Sequence, residues 1–243
     1  MIRTGGRFVA AHRPGVRPVA AVTGGAARAV TQLGLDPAAL DTVEAETPRQ
    51  YFRRFLGQHA PRTSDLAWYF DQALPHFSQG ADVRLAVEEL IDQAGRIAGF
   101  DVVREETDGY GVWSSVGGSH VLVWVLDPAT AIRQIGHAGR ARDAWLAGAI
   151  APAGARATCL LVLCGEANQR LVDDTVALRR ASDHVRLVTV DSLRVLASLV
   201  EGRVVTEDGA RLLLSPTGAF ADPMIALTTE AVGLRLAEGL REP

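Results

Sequence analysis

Lysine is the first residue type that this sequence lacks. Lysine and arginine together number 25, and every one of them is an arginine. A chain without lysine has no Schiff-base lysine, no lysine general base and no phosphate-binding P-loop lysine, so several classes of enzyme are excluded. A GC-rich genome would produce the same arginine-only usage.

Cysteines and long apolar runs are scarce as well. Cys159 and Cys164 lie in one apolar segment, which is not a disulfide framework, and we expect both to be small buried hydrophobic residues. No apolar run approaches the roughly 20 residues that span a bilayer. The N-terminal residues also lack the pattern of a signal peptide. We therefore expect a cytoplasmic protein without a membrane partner.

Charge is unevenly distributed along the 243 residues. Residues 1–64 carry nine arginines against four acidic residues, whereas residues 65–243 carry 16 arginines against 24 acidic residues. Residues 1–20 form a basic arm rich in glycine, proline and arginine. Such an arm ahead of an acidic body favours a nucleic-acid contact, and the alternative is a solvated arm without a partner. The candidate contacts in the arm are Arg3, Arg7, Arg13 and Arg17.

The next region, residues 21–80, is predicted to be helical. One helix begins near Thr47-Pro48, and another covers residues 64–74 with Ser64 as its cap and Pro75 as its stop. The run YFRRF at 51–55 mixes aromatic residues with Arg53 and Arg54, which makes both arginines candidate nucleic-acid contacts. The alternative is an ordinary helix with its aromatic residues in the core.

Residues 81–200 have the pattern of an α/β core, and residues 201–243 that of a helical tail. Apolar residues at helical spacing predict a helix over 82–98. The predicted strands are 100–105, 111–115, 120–126, 157–163 and 185–190, with a hairpin turn over 116–119. The predicted helices of the second half are 129–150, 167–181, one that is capped by Asp191 or Ser192 and ends near 200, and 223–240. Strands that alternate with helices imply parallel pairing there, and the apolar run HVLVWVL predicts a central strand that is buried on both faces.

The segments VEELIDQAGRIAGFDVV and GYGVWSSVGGSHVLVWVL resemble the PD-(D/E)XK nuclease superfamily. The resemblance implies a restriction-endonuclease-like three-layer core with a mixed sheet, in which acidic residues hold a divalent cation and a lysine orients the attacking water. It places Glu88 at the helix glutamate, Tyr110 at the second-strand aspartate, Trp124 at the third-strand acid and Leu126 at the lysine. Three of these four positions therefore lack the side chain that catalysis requires.

One alternative to a lost site stays open. A migrated site could use Glu88, Asp108 and Asp127 to bind Mg²⁺, if these carboxylates converge. Otherwise Asp108 belongs to a polar turn and Asp127 caps the next helix.

The function that we expect is that of a catalytically inactive nuclease-like protein acting as a nucleic-acid-binding, regulatory or assembly subunit. Such a protein needs no cofactor and no metal. The alternatives are an active metal-dependent nuclease and a protein-interaction scaffold that does not bind nucleic acid.

Overall fold

The computed structural model describes residues 47–104, 109–115, 118–126, 131–148, 156–164, 184–215 and 220–239. The helices are α1 (Pro48–His59), α2 (Thr63–Ala73), a 3₁₀ helix (Leu74–Gln79), α3 (Ala81–Ile97), α4 (Ala131–Ala147), α5 (Val190–Glu201), α6 (Glu207–Leu214) and α7 (Asp222–Gly239). The strands are β1 (Asp101–Val103), β2 (Gly111–Ser114), β3 (Ser119–Leu126), β4 (Arg156–Leu163) and β5 (Val185–Thr189).

The five strands form one mixed sheet in the order β1-β2-β3-β4-β5. β1, β2 and β3 pair antiparallel, and β4 and β5 continue the sheet in parallel. The predicted α/β class and the predicted parallel pairing of the second half are confirmed. β3 is the middle strand, as its apolar sequence predicted.

Each face of the sheet carries its own apolar core because neighbouring side chains of a strand point to opposite faces. Val121, Val123 and Val125 of β3 pack in the core that contains α1, α2, α3 and α5. Leu122, Trp124 and Leu126 of the same strand pack in the second core, with α4. Helices therefore cover both faces, and β3 is buried on both, as predicted.

The predicted elements agree with the structure to within a few residues at most ends. α3 occupies 81–97 against the predicted 82–98, and α7 occupies 222–239 against the predicted 223–240. β2 and β3 pair as an antiparallel hairpin, but Ser119, placed in the turn by the sequence, already belongs to β3. The predicted helix over 167–181 and the basic arm lie outside the described residues.

Two predicted helix caps are wrong. α2 begins at Thr63 rather than after Ser64, and the Thr63 backbone N–H donates to Glu201 Oε2 at 3.0 Å. This bond from α5 satisfies a donor that a local cap would otherwise serve. α5 begins at Val190, where Thr189 Oγ1 accepts from the Ser192 backbone N–H at 3.3 Å, so Thr189 is the cap.

The predicted start of α1 is correct, because Thr47 forms a reciprocal capping box with Gln50. The tail is helical as predicted, and Ala210, Leu214 and Ile225 place it in the same core as α3. Within the part of the chain that the structure describes, no helix is both long and apolar enough to cross a bilayer.

Candidate functional site

Three of the four positions that the resemblance assigns to catalysis lie together in the α4-facing core. The rings of Tyr110 and Trp124 are 4.9 Å apart between centroids, with an interplanar angle of 35°. Trp124 and Leu126 are buried beside Leu161 and Leu163, and Tyr110 packs against this cluster. We call Tyr110, Trp124 and Leu126 the apolar cluster. None of these side chains offers a carboxylate to a cation, and the packing leaves Trp124 and Leu126 almost without solvent contact.

The fourth position, Glu88, lies elsewhere. It belongs to α3, which packs on the opposite face of the sheet from the apolar cluster. Its carboxylate is surrounded by arginines: Arg49 Nη2 bonds Oε2, and Arg84 Nε lies 3.3 Å from Oε1. The structure therefore brings Tyr110, Trp124 and Leu126 together and leaves Glu88 in a different environment.

That environment is a network of arginines around buried carboxylates. Its members are Arg49, Arg53, Arg84, Arg104, Glu88, Glu89 and Asp92, and we call it the arginine–carboxylate network. Glu88, Glu89 and Asp92 are all buried, although they lie on a helix that otherwise presents apolar residues to the core. Buried carboxylates are stable only when they are paired and hydrogen-bonded, so the arginines are part of the fold.

The innermost pair of the network is Asp92 and Arg104. Arg104 Nε and Nη2 donate to Asp92 at 2.6 and 3.0 Å, and Trp113 Nε1 donates to the same carboxylate at 2.9 Å. Burial alone would lower the pKa of Arg104, but attraction to Asp92 and the two glutamates outweighs it and raises that pKa above its ordinary value. The guanidinium therefore stays charged. Gly111 makes room for it, since a Cβ there would lie 2.8 Å from Arg104 Nη2.

Two arginines of α1 complete the network from the other side. Arg53 donates to both oxygens of Glu89, from Nε and Nη2 at 2.9 Å each, and also to the Arg104 carbonyl at 3.2 Å. Arg49 bonds Glu88 and lies 3.4 Å from Glu89. These contacts fasten α1 to α3 and to the end of β1. A divalent cation at Glu88 or Glu89 would have to displace a guanidinium.

The structure describes one of the three residues of the alternative Mg²⁺ site, which the sequence placed at Glu88, Asp108 and Asp127. Glu88 lies in the arginine–carboxylate network, and Asp108 and Asp127 lie outside the described residues. Among the residues that the structure describes, no group of three histidine, cysteine or acidic side chains is arranged to hold a metal ion.

The two described arginines predicted to contact nucleic acid have different surroundings. The side chain of Arg53 is 30% exposed and is engaged by Glu89. Arg54 is exposed, and its guanidinium carbon lies 5.3 Å from the centre of the Tyr51 ring. Of the two, Arg54 is therefore the more exposed to solvent. Arg3, Arg7, Arg13 and Arg17 lie outside the described residues.

The arginine–carboxylate network is the feature that the sequence prediction missed. A signal was present, because Arg84, Glu88 and Asp92 recur at four-residue spacing along one stripe of α3. Charged residues at that spacing are typical of a solvated helix face, and their partners Arg49 and Arg104 are separated from them in the sequence. The interior positions of Glu88 and Asp92 follow from tertiary packing alone.

Comparisons of the chain with protein-family models, with curated proteins and with solved structures found no match.

Proposed function

We propose that this protein is a catalytically inactive nuclease-like protein that binds nucleic acid as a regulatory or assembly subunit. The observation that carries the proposal is the packing of the apolar cluster. At the three sheet positions where PD-(D/E)XK nucleases require two acids and a lysine, this chain has Tyr110, Trp124 and Leu126 in mutual or shared contact within an apolar core.

The chemistry of that cluster is incompatible with metal-assisted hydrolysis at these positions. Magnesium takes oxygen ligands in a near-octahedral arrangement, and an indole and an isobutyl group supply none. Replacing a charged pocket with packed apolar side chains need not destabilise a fold. A nuclease-like core can therefore lose its metal site and retain its structure, which leaves binding as the function to be conserved.

The surroundings of Glu88 support the same conclusion. An active nuclease that used Glu88, Asp108 and Asp127 would need the Glu88 carboxylate for its Mg²⁺. That carboxylate instead contacts Arg49 and Arg84, and Arg104 Nη1 lies 4.0 Å away. Resident guanidinium groups thus compensate the negative charge that would attract a cation.

The binding part of the proposal is supported by charge. Residues 47–64 contain four arginines and no acidic residue; Arg49 and Arg53 pair with glutamates of α3, and Arg54 and Arg62 are exposed. This segment continues the positive balance of the N-terminal quarter, whereas the remaining chain is acidic. Phosphate contacts by arginine are the usual source of affinity for nucleic acid. A scaffold that binds only proteins would not require this segregation.

Cleavage assays test the absence of catalysis. The purified protein is incubated with labelled single- and double-stranded DNA and RNA in Mg²⁺ or Mn²⁺, and strand length is measured on denaturing gels. We expect every strand to remain intact. Metal-dependent cleavage that disappears in a Glu88→Gln variant would overturn the proposal. Cleavage that the variant retains would also overturn the proposal if the activity co-purifies with the protein through a second chromatographic step, and would come from a contaminating nuclease if it does not.

A further inference from the structure

We infer that the surface shared by α1 and α2 binds single-stranded nucleic acid by stacking unpaired bases on its aromatic side chains. This inference rests on the proposed function and specifies its ligand. The surface consists of Tyr51, Arg54, Phe55, His59 and Trp68, and we call it the α1–α2 aromatic surface. It lies on the face of the sheet opposite α4.

The helical spacing of α1 separates this surface from the arginine–carboxylate network. Tyr51, Phe55 and His59 follow one another at intervals of four residues and therefore lie on one stripe of the helix. Arg49 and Arg53 lie on another stripe, where they contact the buried glutamates of α3. One helix thus presents a row of arginines to the glutamates of α3 and a row of aromatic rings at the edge of the core.

Three rings of the surface, those of Phe55, His59 and Trp68, are linked through the buried Tyr69. Phe55 stacks on His59 with centroids 4.3 Å apart, and Tyr69 meets Phe55 edge-to-face at 5.9 Å. Tyr69 in turn meets Trp68 edge-to-face at 4.9 Å. These contacts hold the outer rings in fixed orientations before a ligand arrives, which lowers the entropy that binding costs.

The members of the surface are exposed to different degrees. Trp68 is 37% exposed. His59 and Arg54 are exposed, and Tyr51 and Phe55 are half-buried at the edge of the core. Exposed aromatic groups beside a solvent-facing arginine are the combination that base stacking and phosphate pairing require.

On the α1 side of the surface, charge favours nucleic acid over an apolar protein partner, whereas Trp68 of α2 lies between Asp65 and Asp71 in the sequence. Arg54 and Arg62 are exposed within a segment, residues 47–64, that contains no acidic residue. Arg54 also lies over the Tyr51 ring, so that a phosphate at the guanidinium would place its base near aromatic side chains. Duplex bases are already stacked on one another, and their faces are inaccessible to these rings. The surface therefore favours a single strand.

Fluorescence anisotropy with labelled oligonucleotides of about 20 nucleotides tests the inference at about 50 mM salt. The probes are single-stranded DNA, single-stranded RNA of the same sequence, and the DNA duplex. We expect the full chain to bind at least one single strand more tightly than the duplex. The comparison of the two single strands identifies whether DNA or RNA is preferred.

Variants locate the binding to this surface. We expect Trp68→Ala to weaken single-strand binding about tenfold, whereas Trp68→Phe, which keeps an aromatic face, loses much less. Arg54→Ala should weaken binding and reduce the salt dependence by about one phosphate contact. Leu212→Ala and Arg211→Ala are the matched controls, because both change exposed or partly exposed residues of α6, and neither should alter affinity.

The possible failures are distinguishable. If the wild-type protein binds neither single strands nor duplex, the proposed function itself is overturned. If it binds but Trp68→Ala and Arg54→Ala bind equally well, the function stands and the α1–α2 aromatic surface is not the site. A preference for duplex that the Trp68 variants leave unchanged would also overturn base stacking.

Discussion

Arg104 donates two hydrogen bonds to the Asp92 carboxylate, from Nε to Oδ2 at 2.6 Å and from Nη2 to Oδ1 at 3.0 Å. Neither side chain is exposed to solvent. The pair joins the end of β1 to the middle of α3, and the Trp113 indole N–H completes the coordination of the carboxylate. Because both charges are buried, each depends on the other, and the pair makes the most direct stability prediction.

We expect Asp92→Ala to lower the free energy of unfolding by about 3–5 kcal/mol, because it leaves the Arg104 charge buried without its partner. Asp71→Ala is the control: it removes an ion pair to Arg194 in which the aspartate side chain is 64% exposed. Such exposed pairs contribute about 0–1 kcal/mol. Urea or guanidinium denaturation measures both variants, and equal effects would contradict the buried network.

Alanine substitution at two helical glycines, Gly95 and Gly57, should change the stability of the protein in opposite directions. A Cβ at Gly95 of α3 would lie 2.7 Å from the Trp113 ring, whereas a Cβ at Gly57 of α1 would have no atom within 4 Å. We expect Gly95→Ala to destabilise by about 1–3 kcal/mol through overpacking. Gly57→Ala should stabilise by up to about 1 kcal/mol through its better helix propensity. Thermal melting distinguishes the two, and a stabilised Gly95→Ala variant would show that this helix–strand contact is misplaced.

The pH dependence of stability should contain a contribution from His120. Its ring packs 5.0 Å from the Trp145 ring, its Nδ1 lies 2.9 Å from Ser114 Oγ, and burial lowers its pKa below the ordinary value of 6.5. The folded state therefore binds the proton less readily than the unfolded state. This contribution to stability is fully present above about pH 6.5 and is lost as the pH falls through that value toward the lower folded pKa.

The measurement is the urea midpoint of wild-type protein and His120→Gln at about pH 7.5 and pH 5. Wild-type protein should lose more stability than the variant over this interval, because glutamine does not titrate. The remaining histidines are common to both proteins and cancel in the comparison. A variant whose loss equals or exceeds that of the wild type would refute the role of His120.

The two cysteines should differ in reactivity. Cys159 is buried, its Sγ donates to the Ala138 carbonyl at 3.4 Å, and burial raises the pKa of its thiol to about 12. The Cys164→Ala variant, which retains Cys159, should therefore resist a thiol reagent at neutral pH and react fully in denaturant. The reciprocal Cys159→Ala variant reports the half-buried Cys164. Rapid labelling of native Cys164→Ala would contradict the placement of β4 in the core.

Most of the fold was predictable because its strongest signals are local. The apolar run of β3 indicates a strand buried on both faces, and the periodicity of α3 indicates an amphipathic helix. The caps of α2 and α5 were predicted wrongly because several neighbouring residues can cap a helix equally well. The Thr63 backbone N–H of α2 donates to Glu201, which is 138 positions away in the sequence. The residues near Ser64 do not indicate this contact.

The candidate site was less predictable for a related reason. The resemblance assigns acids to the positions of Tyr110 and Trp124, and their absence can be read from the sequence. The contact between the two rings follows from the pairing of β2 with β3. The arginines that surround Glu88 cannot be predicted from the sequence in the same manner. Its partner Arg49 is 39 positions away on another helix, and local periodicity interprets both as surface residues. The distinction between Arg53 and Arg54 likewise depends on which side of α1 meets α3.

The central claim is that the protein binds nucleic acid without cleaving it. The most direct test measures the affinity for a labelled single strand over a salt series in the presence of Mg²⁺ and then checks the length of the strand. The account predicts binding that weakens about tenfold or more between about 50 and 200 mM salt, which corresponds to a few phosphate contacts, and a strand that stays intact. Affinity that does not change with salt, or a strand that is cut in a metal-dependent reaction by the wild-type protein but not by Glu88→Gln, would contradict it.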